Sequence, residues 1–354
     1  MPEGEWFDYG HDAIWVVDYT EGGAPYGPTR TQMKDFIQRE GAGAAWARAK
    51  AVLHDAFHEV APPNARIEIG RVTKIGEGLS REAYAAYVDV SPDPDRLSGA
   101  YAAFLPKRDA EGGLDQRTER EMRLLHKLAK HELPFRVARV LGAWRDGRHL
   151  ALVRTAFDGI PLDLRSGRQP SVRPWEIVGE IAAALHSLDV TPFVDVLGGE
   201  ASRKEHALAA LRVFHGLDVP EARDAVAWAR EHLPPDEPSS FLHGDLLGQN
   251  ILLWPGEPPA LIDWEYARRG DPAYDLAIVT RGKRQPFQIA GGMDRLLDAY
   301  RCAGGPPVDV RHVRLYELCM LATWYRESLQ PQSTHPAPPD QALAHLRNLL
   351  GRVK

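Results

Sequence analysis

The spacing of apolar residues predicts strands in the first half of the chain and mainly helices in the second. Short apolar or alternating runs bounded by Gly, Pro and Asp predict strands at residues 13–17, 66–75, 83–90, 99–105, 139–144 and 149–155. Apolar side chains that recur every three to four residues predict helices near 44–60, 116–131, 175–188, 203–215, 219–232, 291–302, 308–329 and 340–353. A further helix is predicted to begin near residue 31.

A polar loop over residues 243–250 interrupts this pattern and carries the clearest chemistry. It reads His-Gly-Asp-Leu-Leu-Gly-Gln-Asn, with Asp245 and Asn250 as its acid and its amide. Two short apolar runs joined by a Pro/Gly turn follow it and predict a hairpin that ends at Asp263. Such a layout can hold a divalent cation between Asn250 and Asp263 while Asp245 faces an acceptor hydroxyl. Phosphoryl transfer needs this geometry, because its catalysis is mostly positioning and charge neutralisation.

His-Gly-Asp, four residues, Asn-Ile-Leu and then Ile-Asp-Trp-Glu resemble the aminoglycoside phosphotransferase and choline-kinase-like family, which shares the protein-kinase fold. The resemblance implies an α+β, two-lobed fold. The expected parts are a small β-rich lobe with one main helix (63–157) and a larger, mostly helical lobe (158–354). An extension (1–62) precedes them. Leu-Gly-Gln at 247–249 departs from the family, which usually has a His- or Pro-containing run there.

The resemblance also assigns roles to residues of this region. It implies Asp245 as the group that orients the acceptor hydroxyl and finally accepts its proton, and Asn250 and Asp263 as Mg²⁺ ligands. The alternative is that these polar residues only cap a hairpin. Gly-Asp-Pro-x-x-Asp-Leu-Ala at 270–277 is similar to the family's next signature, and it implies that Asp275 supports the catalytic loop.

Other residues of these motifs are expected to be structural. Asp271 before Pro272 is typical of a helix start. For His186, in the Ala-Leu-His that precedes the catalytic loop in this family, and for His243, we favour packing and hydrogen bonding over proton transfer.

The glycine-containing turn after residue 75 is a candidate phosphate-binding loop. Gly76 and Gly78 would let backbone N–H groups approach phosphate, and Ser80 or Arg81 could add a contact. A plain hairpin turn uses the same residues, so both interpretations stay open.

The fold also needs a cation for the α- and β-phosphates, paired with a helix glutamate. Lys107 is the candidate and Glu121 its expected partner, with Arg108 as a fallback. Lys107 lies beyond Pro106, whereas family members more often carry the basic residue where this chain has Phe104. A solvated Lys-Arg pair and a surface glutamate are the alternatives.

Residues 149–162 resemble the family's passage from the last strand of the small lobe to the larger lobe, which ends Gly-x-Pro-Leu. The resemblance implies that the backbone from about Val153 to Thr155 meets the edge of the purine. An extended segment supplies the alternating donors and acceptors without any special side chain.

Composition bounds the function. The 354 residues carry a formal net charge of -6, which argues against a general nucleic-acid-binding protein and permits a cationic substrate. No apolar run approaches the length of a membrane span and no signal peptide is visible, so we expect a cytoplasmic protein. Cys302 and Cys319 are expected to be reduced, mostly buried thiols.

The extension over 1–62 leaves two interpretations open. The helix at 44–60 places Trp46, Leu53, Phe57 and Val60 on one face. That face would pack on the small lobe, which we favour, or serve a dimerisation or regulatory module.

Together these features predict a small-molecule kinase that uses ATP or GTP with Mg²⁺ and phosphorylates a hydroxyl. The preferred acceptor is an aminoglycoside-type antibiotic, because an acidic cluster suits a polycation. The alternatives are a metabolic acceptor (an amino alcohol, a sugar or a macrolide) and a non-catalytic nucleotide-binding protein. We expect no nucleic-acid or membrane partner and either a monomer or a homodimer.

Overall fold

The computed structural model describes residues 5–8, 13–16, 18–19, 25–26, 44–77, 81–107, 114–146, 149–169, 171–330 and 337–354. The helix expected near residue 31 lies outside them. The strands are β1 (Glu5–Asp8), β2 (Ala13–Val16), β3 (Asp18–Tyr19), β4 (Pro25–Tyr26), β5 (Arg66–Ile69), β6 (Thr73–Glu77), β7 (Arg81–Ser91), β8 (Gly99–Pro106), β9 (Val140–Asp146), β10 (His149–Thr155), β11 (Ile160–Pro161), β12 (Gly198–Gly199), β13 (Ser240–Leu242), β14 (Ile251–Leu253), β15 (Ala260–Leu261) and β16 (Arg268–Gly270).

The helices are α1 (Ala44–Val60), α2 (Leu114–Leu128), α3 (Pro174–His186), α4 (Arg203–Ala210), α5 (Pro220–Glu231), α6 (Ala273–Thr280), α7 (Gly292–Cys302), α8 (Val310–Ser328) and α9 (Pro339–Val353). Short 3-10 turns lie at Thr191–Phe193, Leu211–Phe214, Gly248–Asn250 and Pro286–Gln288. The helices other than α6 lie close to the positions predicted from their apolar spacing. Helix α6 is buried at almost every residue, so it has no apolar stripe, and only its start was predicted.

The chain divides into two compact units. The first comprises Met1–Pro161 and Leu252–Ile262, and the second comprises Leu162–Ile251 and Asp263–Lys354. The hairpin after the polar loop therefore clusters with the strand-rich unit.

The first unit contains an antiparallel sheet in the order β5-β7-β8-β10-β9, with β6 also paired to β7. Alternate side chains of β7 are buried on one face of this sheet. Helix α1 covers that face, and Leu53 and Phe57 join the sheet residues Tyr84, Val88 and Tyr101 in one core. Trp46, Leu53 and Phe57 of the predicted face thus pack in this core, whereas Val60 of the same face is exposed, which corrects the expectation for that residue.

The predicted strand over residues 66–75 is two strands in the structure. The regular strand is interrupted after Ile69, and the N–H of Gly70 donates to the carbonyl of Tyr87 (2.8 Å). β5 then pairs with the second half of β7 and β6 with its first half. The apolar alternation shifts after Ile69, where Arg71 and Val72 reverse it, but a single glycine does not by itself mark the end of a strand.

The second unit is mainly helical and holds a small sheet in the order β12-β16-β13. Both cysteines are free: Cys319 is buried, but Cys302 is exposed, which corrects the expectation for that residue. Burial raises the pKa of the Cys319 thiol, so this residue stays protonated.

Candidate active site

Strands β13 and β16 bring the two halves of the motif together. Leu242 pairs with Arg268, so the residues just before the polar loop lie beside those that follow Asp263. The ring of His243 also packs on Trp264 at 4.8 Å between centroids. The loop with Asp245 follows β13 and the turn with Asp263 precedes β16, so both lie at the same end of this small sheet.

The buried carboxylate of Asp275 fixes the start of the polar loop. Its two oxygens accept the consecutive backbone N–H groups of His243 (2.8 Å) and Gly244 (2.9 Å). Burial raises the pKa of Asp275, but the hydrogen bond with His186, the nearby His243 and the Gly244 N–H outweigh it, so the pKa lies below its ordinary value. Asp275 therefore stays ionised and supports the loop, as the resemblance implies.

A chain of hydrogen bonds continues from Asp275 into the helical core. His186 at the end of α3 places Nε2 3.2 Å from the Asp275 carboxylate and Nδ1 2.9 Å from the hydroxyl of Tyr300 on α7. A carboxylate only accepts, so Nε2 is assigned as the donor to Asp275, and Nδ1 is the nitrogen that faces the tyrosine hydroxyl. Burial raises the pKa of Tyr300, which keeps its hydroxyl protonated. His186 is thus structural, as expected.

Asp245 and Asn250 form one fixed unit. The Asn250 side-chain NH₂ donates to the backbone carbonyl of Asp245 (2.8 Å) and to its carboxylate (2.9 Å). The Asp245 N–H in turn points to Nδ1 of His243 at 3.3 Å. These hydrogen bonds fix the orientation of the Asp245 carboxylate. The amide oxygen of Asn250 is the atom of that side chain that can coordinate a cation.

Asp263 adopts an unusual backbone conformation next to this unit. Its φ is +66°, a left-handed value that costs free energy for a non-glycine residue and is often found at functional sites. The pKa of Tyr266 is raised by Glu265 first, then by partial burial, and further by the carboxylates of Asp245 and Asp263. The carboxylates of Asp245 and Asp263 thus both interact electrostatically with the phenol of Tyr266.

The donor set fits magnesium. The described residues hold no cluster of three His, Cys, Asp or Glu side chains that could hold a metal ion. The Asp263 carboxylate and the Asn250 amide oxygen stay the predicted ligands. Mg²⁺ prefers hard oxygen ligands and is commonly held by one or two carboxylates together with substrate phosphates.

Asp271 begins helix α6 as predicted. One of its carboxylate oxygens accepts the N–H of Ala273 at 3.1 Å, and its own N–H donates to Nδ1 of His206 at 3.0 Å. Its carboxylate is buried, which makes it a structural group of the helix start.

On the nucleotide side, only part of the predicted loop can be located. Gly76 lies in β6 opposite Ala83, at a shift in the strand register, whereas Gly78 and Ser80 lie outside the described residues. Lys107 follows the last residue of β8.

The expected pair of Lys107 with Glu121 is corrected by the structure. In the described part of the chain Glu121 on α2 instead binds Arg81, with Nη1 2.7 Å from its carboxylate. Sequence spacing did not indicate this pair, because the two residues lie 40 positions apart on different elements.

The backbone predicted to meet the purine has other partners. Val153 is fully buried and lies between Ala103 of β8 and Gly142 of β9. The Thr155 N–H donates to the carbonyl of Arg139 (2.9 Å). Val153 therefore lies inside the sheet, which corrects its predicted role, because the strand that bears it has neighbours on both edges.

Comparison with known proteins decides the family. The sequence profile of the phosphotransferase enzyme family matches residues 96–310, more than half of the chain and including the polar loop and Asp263. The chain belongs to the phosphotransferase enzyme family. The predicted resemblance is thereby confirmed.

The curated proteins that resemble this phosphotransferase-family chain match only part of its length. A homoserine kinase from Methylobacterium sp. (strain 4-46) is 31% identical over 174 residues, which are 46% of this chain and 51% of that protein. Acyl-CoA dehydrogenase family member 11 from Gallus gallus is 36% identical over 67 residues, 18% of this chain and 9% of that protein. The chain thus spans about half or less of the length of these relatives.

Solved structures of the family confirm the fold. APH(2")-IIia, determined as a GDP and kanamycin complex, superposes with a TM-score of 0.55 at 15% identity and covers 85% of this chain and 98% of that one. The predicted α+β kinase-like fold is confirmed. No helix in the described ranges has the length and apolar character needed to cross a lipid bilayer.

Proposed function

We propose that this protein transfers the γ-phosphoryl group of ATP or GTP to a hydroxyl of a small molecule. The observation that carries the proposal is the Asp245–Asn250 unit, whose amide orients the carboxylate beside the left-handed turn at Asp263. Family membership supports the same reaction, and so does the GDP bound by APH(2")-IIia.

In the proposed reaction the acceptor oxygen forms a bond to the γ-phosphorus while the bond to the β–γ bridging oxygen breaks and ADP or GDP leaves. Asp245 holds the acceptor O–H in line and receives its proton late, because an alcohol is far less acidic than an aspartic acid. Asn250 keeps the Asp245 carboxylate turned toward the acceptor. A Mg²⁺ ion held by Asn250 and Asp263 would neutralise charge on the transferring phosphate.

The first candidate acceptor is an aminoglycoside. Asp245, Asp263 and Glu265 all act on Tyr266, so the turn after the polar loop carries concentrated negative charge. A polycation suits such a surface, and the kanamycin complex of APH(2")-IIia supports this class.

A second candidate, an alcohol that carries an acid group, is favoured by two cations, Arg281 and Lys283, of which Arg281 interacts electrostatically with Asp245. Partial burial lowers the pKa of Arg281, and the Asp245 carboxylate opposes this shift, so the guanidinium lies within electrostatic reach of the proposed base. Lys283 follows it, with a pKa lowered by partial burial and by Arg281. Two adjacent cations suit a carboxylate, and the homoserine kinase relative supports an amino-acid alcohol.

The test is a screen of magnesium-dependent nucleotide consumption against kanamycin, a macrolide, homoserine, an amino alcohol and a sugar. Consumption that rises with one acceptor supports the proposal and selects the class. Tight ATP binding with a flat response to every acceptor would favour a non-catalytic nucleotide-binding protein.

The decisive variant is Asp245→Ala. We expect turnover to fall by about three orders of magnitude or more, because the group that positions the acceptor is removed. Nucleotide affinity should stay within about twofold, because Asp245 faces the acceptor (a factor of two is under 0.5 kcal/mol). Turnover and equilibrium nucleotide binding are measured side by side, and retained turnover would refute the role.

A further inference from the structure

The strand that should supply the phosphate-binding cation has none. β8 reads Gly-Ala-Tyr-Ala-Ala-Phe-Leu-Pro and contains no basic residue. Phe104 occupies the position expected to be basic, and the guanidinium of Arg154 lies over its ring, 4.4 Å from the centroid. The nearest lysine in sequence, Lys107, comes after the strand has ended.

Arg81 brings a cation to the same face of the sheet from the neighbouring strand. It is the first residue of β7 and lies opposite Pro106, while Ala83 lies opposite Phe104. Residues opposite each other, and every second residue along a strand, share a face, so Arg81 and Phe104 point to the same side. Helix α1 covers the other side.

Two successive turns of α2 hold this guanidinium. Nη1 of Arg81 binds the Glu121 carboxylate at 2.7 Å, and Nη2 donates to Oγ1 of Thr118 at 2.7 Å. The side chains of Arg81 and Glu121 are only 16% and 10% exposed, and Thr118 is fully buried. The guanidinium of Arg81 is thus held at both of its terminal nitrogens.

This clamp is better suited to binding than to stability. A largely buried ion pair often stabilises a fold no more than apolar residues of similar size would. A guanidinium has five N–H donors, and only two are used by Glu121 and Thr118. The remaining donors keep a fixed direction and can bind phosphate oxygens.

We propose that Arg81, held by Glu121 and Thr118, contacts the α- and β-phosphates of the nucleotide and replaces the lysine expected on β8. Arg81 is the first residue of β7, which pairs with β6, so the strand pair that carries Gly76 also supplies the cation. The inference rests on the proposed kinase function, but it can fail independently of it.

The test compares ADP with adenosine, because only ADP carries the phosphates. In Arg81→Met the affinity for ADP should fall about tenfold or more, the effect of losing a charge-assisted hydrogen bond, while the affinity for adenosine is unchanged. Arg81→Lys keeps the charge but not the fork and should fall in between. Binding is measured by calorimetry on the full chain.

Two matched controls accompany it. Lys74→Met breaks a second ion pair of the same hairpin, Lys74 with Glu82 at 2.8 Å, whose glutamate points to the opposite face. Lys107→Met tests the competing cation. Both should bind ADP within about twofold of the unmodified chain, less than one hydrogen bond contributes.

Leaving Glu121 buried and unpaired can unfold Arg81→Met, so the double variant Arg81→Met/Glu121→Leu replaces the whole pair by apolar side chains. Its ADP affinity should fall as in the single variant. Unchanged ADP affinity in a folded Arg81 variant, or a loss confined to Lys107→Met, would overturn the inference. An unmodified chain that binds neither ADP and adenosine nor GDP and guanosine would instead refute the kinase proposal itself.

Discussion

At the scale of single residues, Gly244 explains how the catalytic loop can run so close to its neighbour. Its φ is +82°, and a Cβ atom there would lie 2.1 Å from the carbonyl oxygen of Tyr266. Real Cβ atoms do not come this close to backbone, so the loop would have to move. Because Gly244 directly precedes Asp245, such a movement displaces the proposed base.

Gly244→Ala should therefore lower the free energy of unfolding by about 2–4 kcal/mol, through backbone strain and the clash together. Turnover should fall with it. Gly256→Ala is the matched control: its φ is +79°, but no atom lies within 4 Å of the added Cβ. The control should lose only about 1 kcal/mol. Urea unfolding of both variants measures the difference, and equal losses would mean that the close approach is not rigid.

The residues of the site were predictable to different degrees. Asp245, Asn250 and Asp263 could be proposed from the sequence because they lie on consecutive loops with a fixed spacing, and Asp275 because it belongs to a second motif. The role of Tyr300 had no signal in the local sequence. Its hydroxyl contacts His186, which contacts Asp275, but Tyr300 lies 114 positions after His186 in the chain.

At the scale of elements, the pairing of β13 with β16 decides where the two loops meet, and it was not predicted. Three-residue strands such as Arg268–Gly270 have too little alternation to be distinguished from a loop. Helix α4 supports this small sheet. Its His206 is buried, accepts the Asp271 N–H with Nδ1, and packs 5.2 Å from the ring of Tyr316 on α8.

His206 should make stability depend on pH. Burial lowers its pKa from 6.5 to about 4, with a contribution from Arg268, while Asp275 opposes the shift. The folded state then favours the neutral ring, so stability is full above the unfolded pKa and declines as pH falls from about 6.5 to 4. The loss should reach about 3 kcal/mol, from 1.36 kcal/mol per pKa unit.

The variant that checks this prediction is His206→Gln, whose amide oxygen can still accept the Asp271 N–H. Its unfolding free energy should lie below that of the unmodified chain at pH 7, and the gap should shrink towards pH 4. Urea titrations at pH 7, 6, 5 and 4 give both curves. The control His345→Gln changes an exposed residue, so its unfolding free energy should depend on pH as that of the unmodified chain does. A constant gap for His206→Gln would show that His206 does not titrate in this range.

At the scale of the whole molecule, the prediction of an α+β kinase-like fold was correct because each lobe has its own pattern, strands in one and helices in the other. What the pattern could not supply is the partner of each face. The apolar face of α1 was visible as a stripe, but a stripe fits a dimer interface as well as a core. The structure uses it inside the first unit, where Phe57 packs edge-to-face on Tyr101 at 4.8 Å.

If α1 belongs to the core of the first unit, its removal must weaken the sheet that carries Arg81. Phe57 is fully buried, so Phe57→Ala should cost about 3–5 kcal/mol, from lost burial and the cavity left behind. Hydrogen exchange should rise in peptides from β7 and β8. Val60→Ala, on the same helix but 37% exposed, should change stability by less than about 0.5 kcal/mol. If the hydrogen-exchange rates of β7 and β8 are unchanged in Phe57→Ala, the sheet folds without the helix.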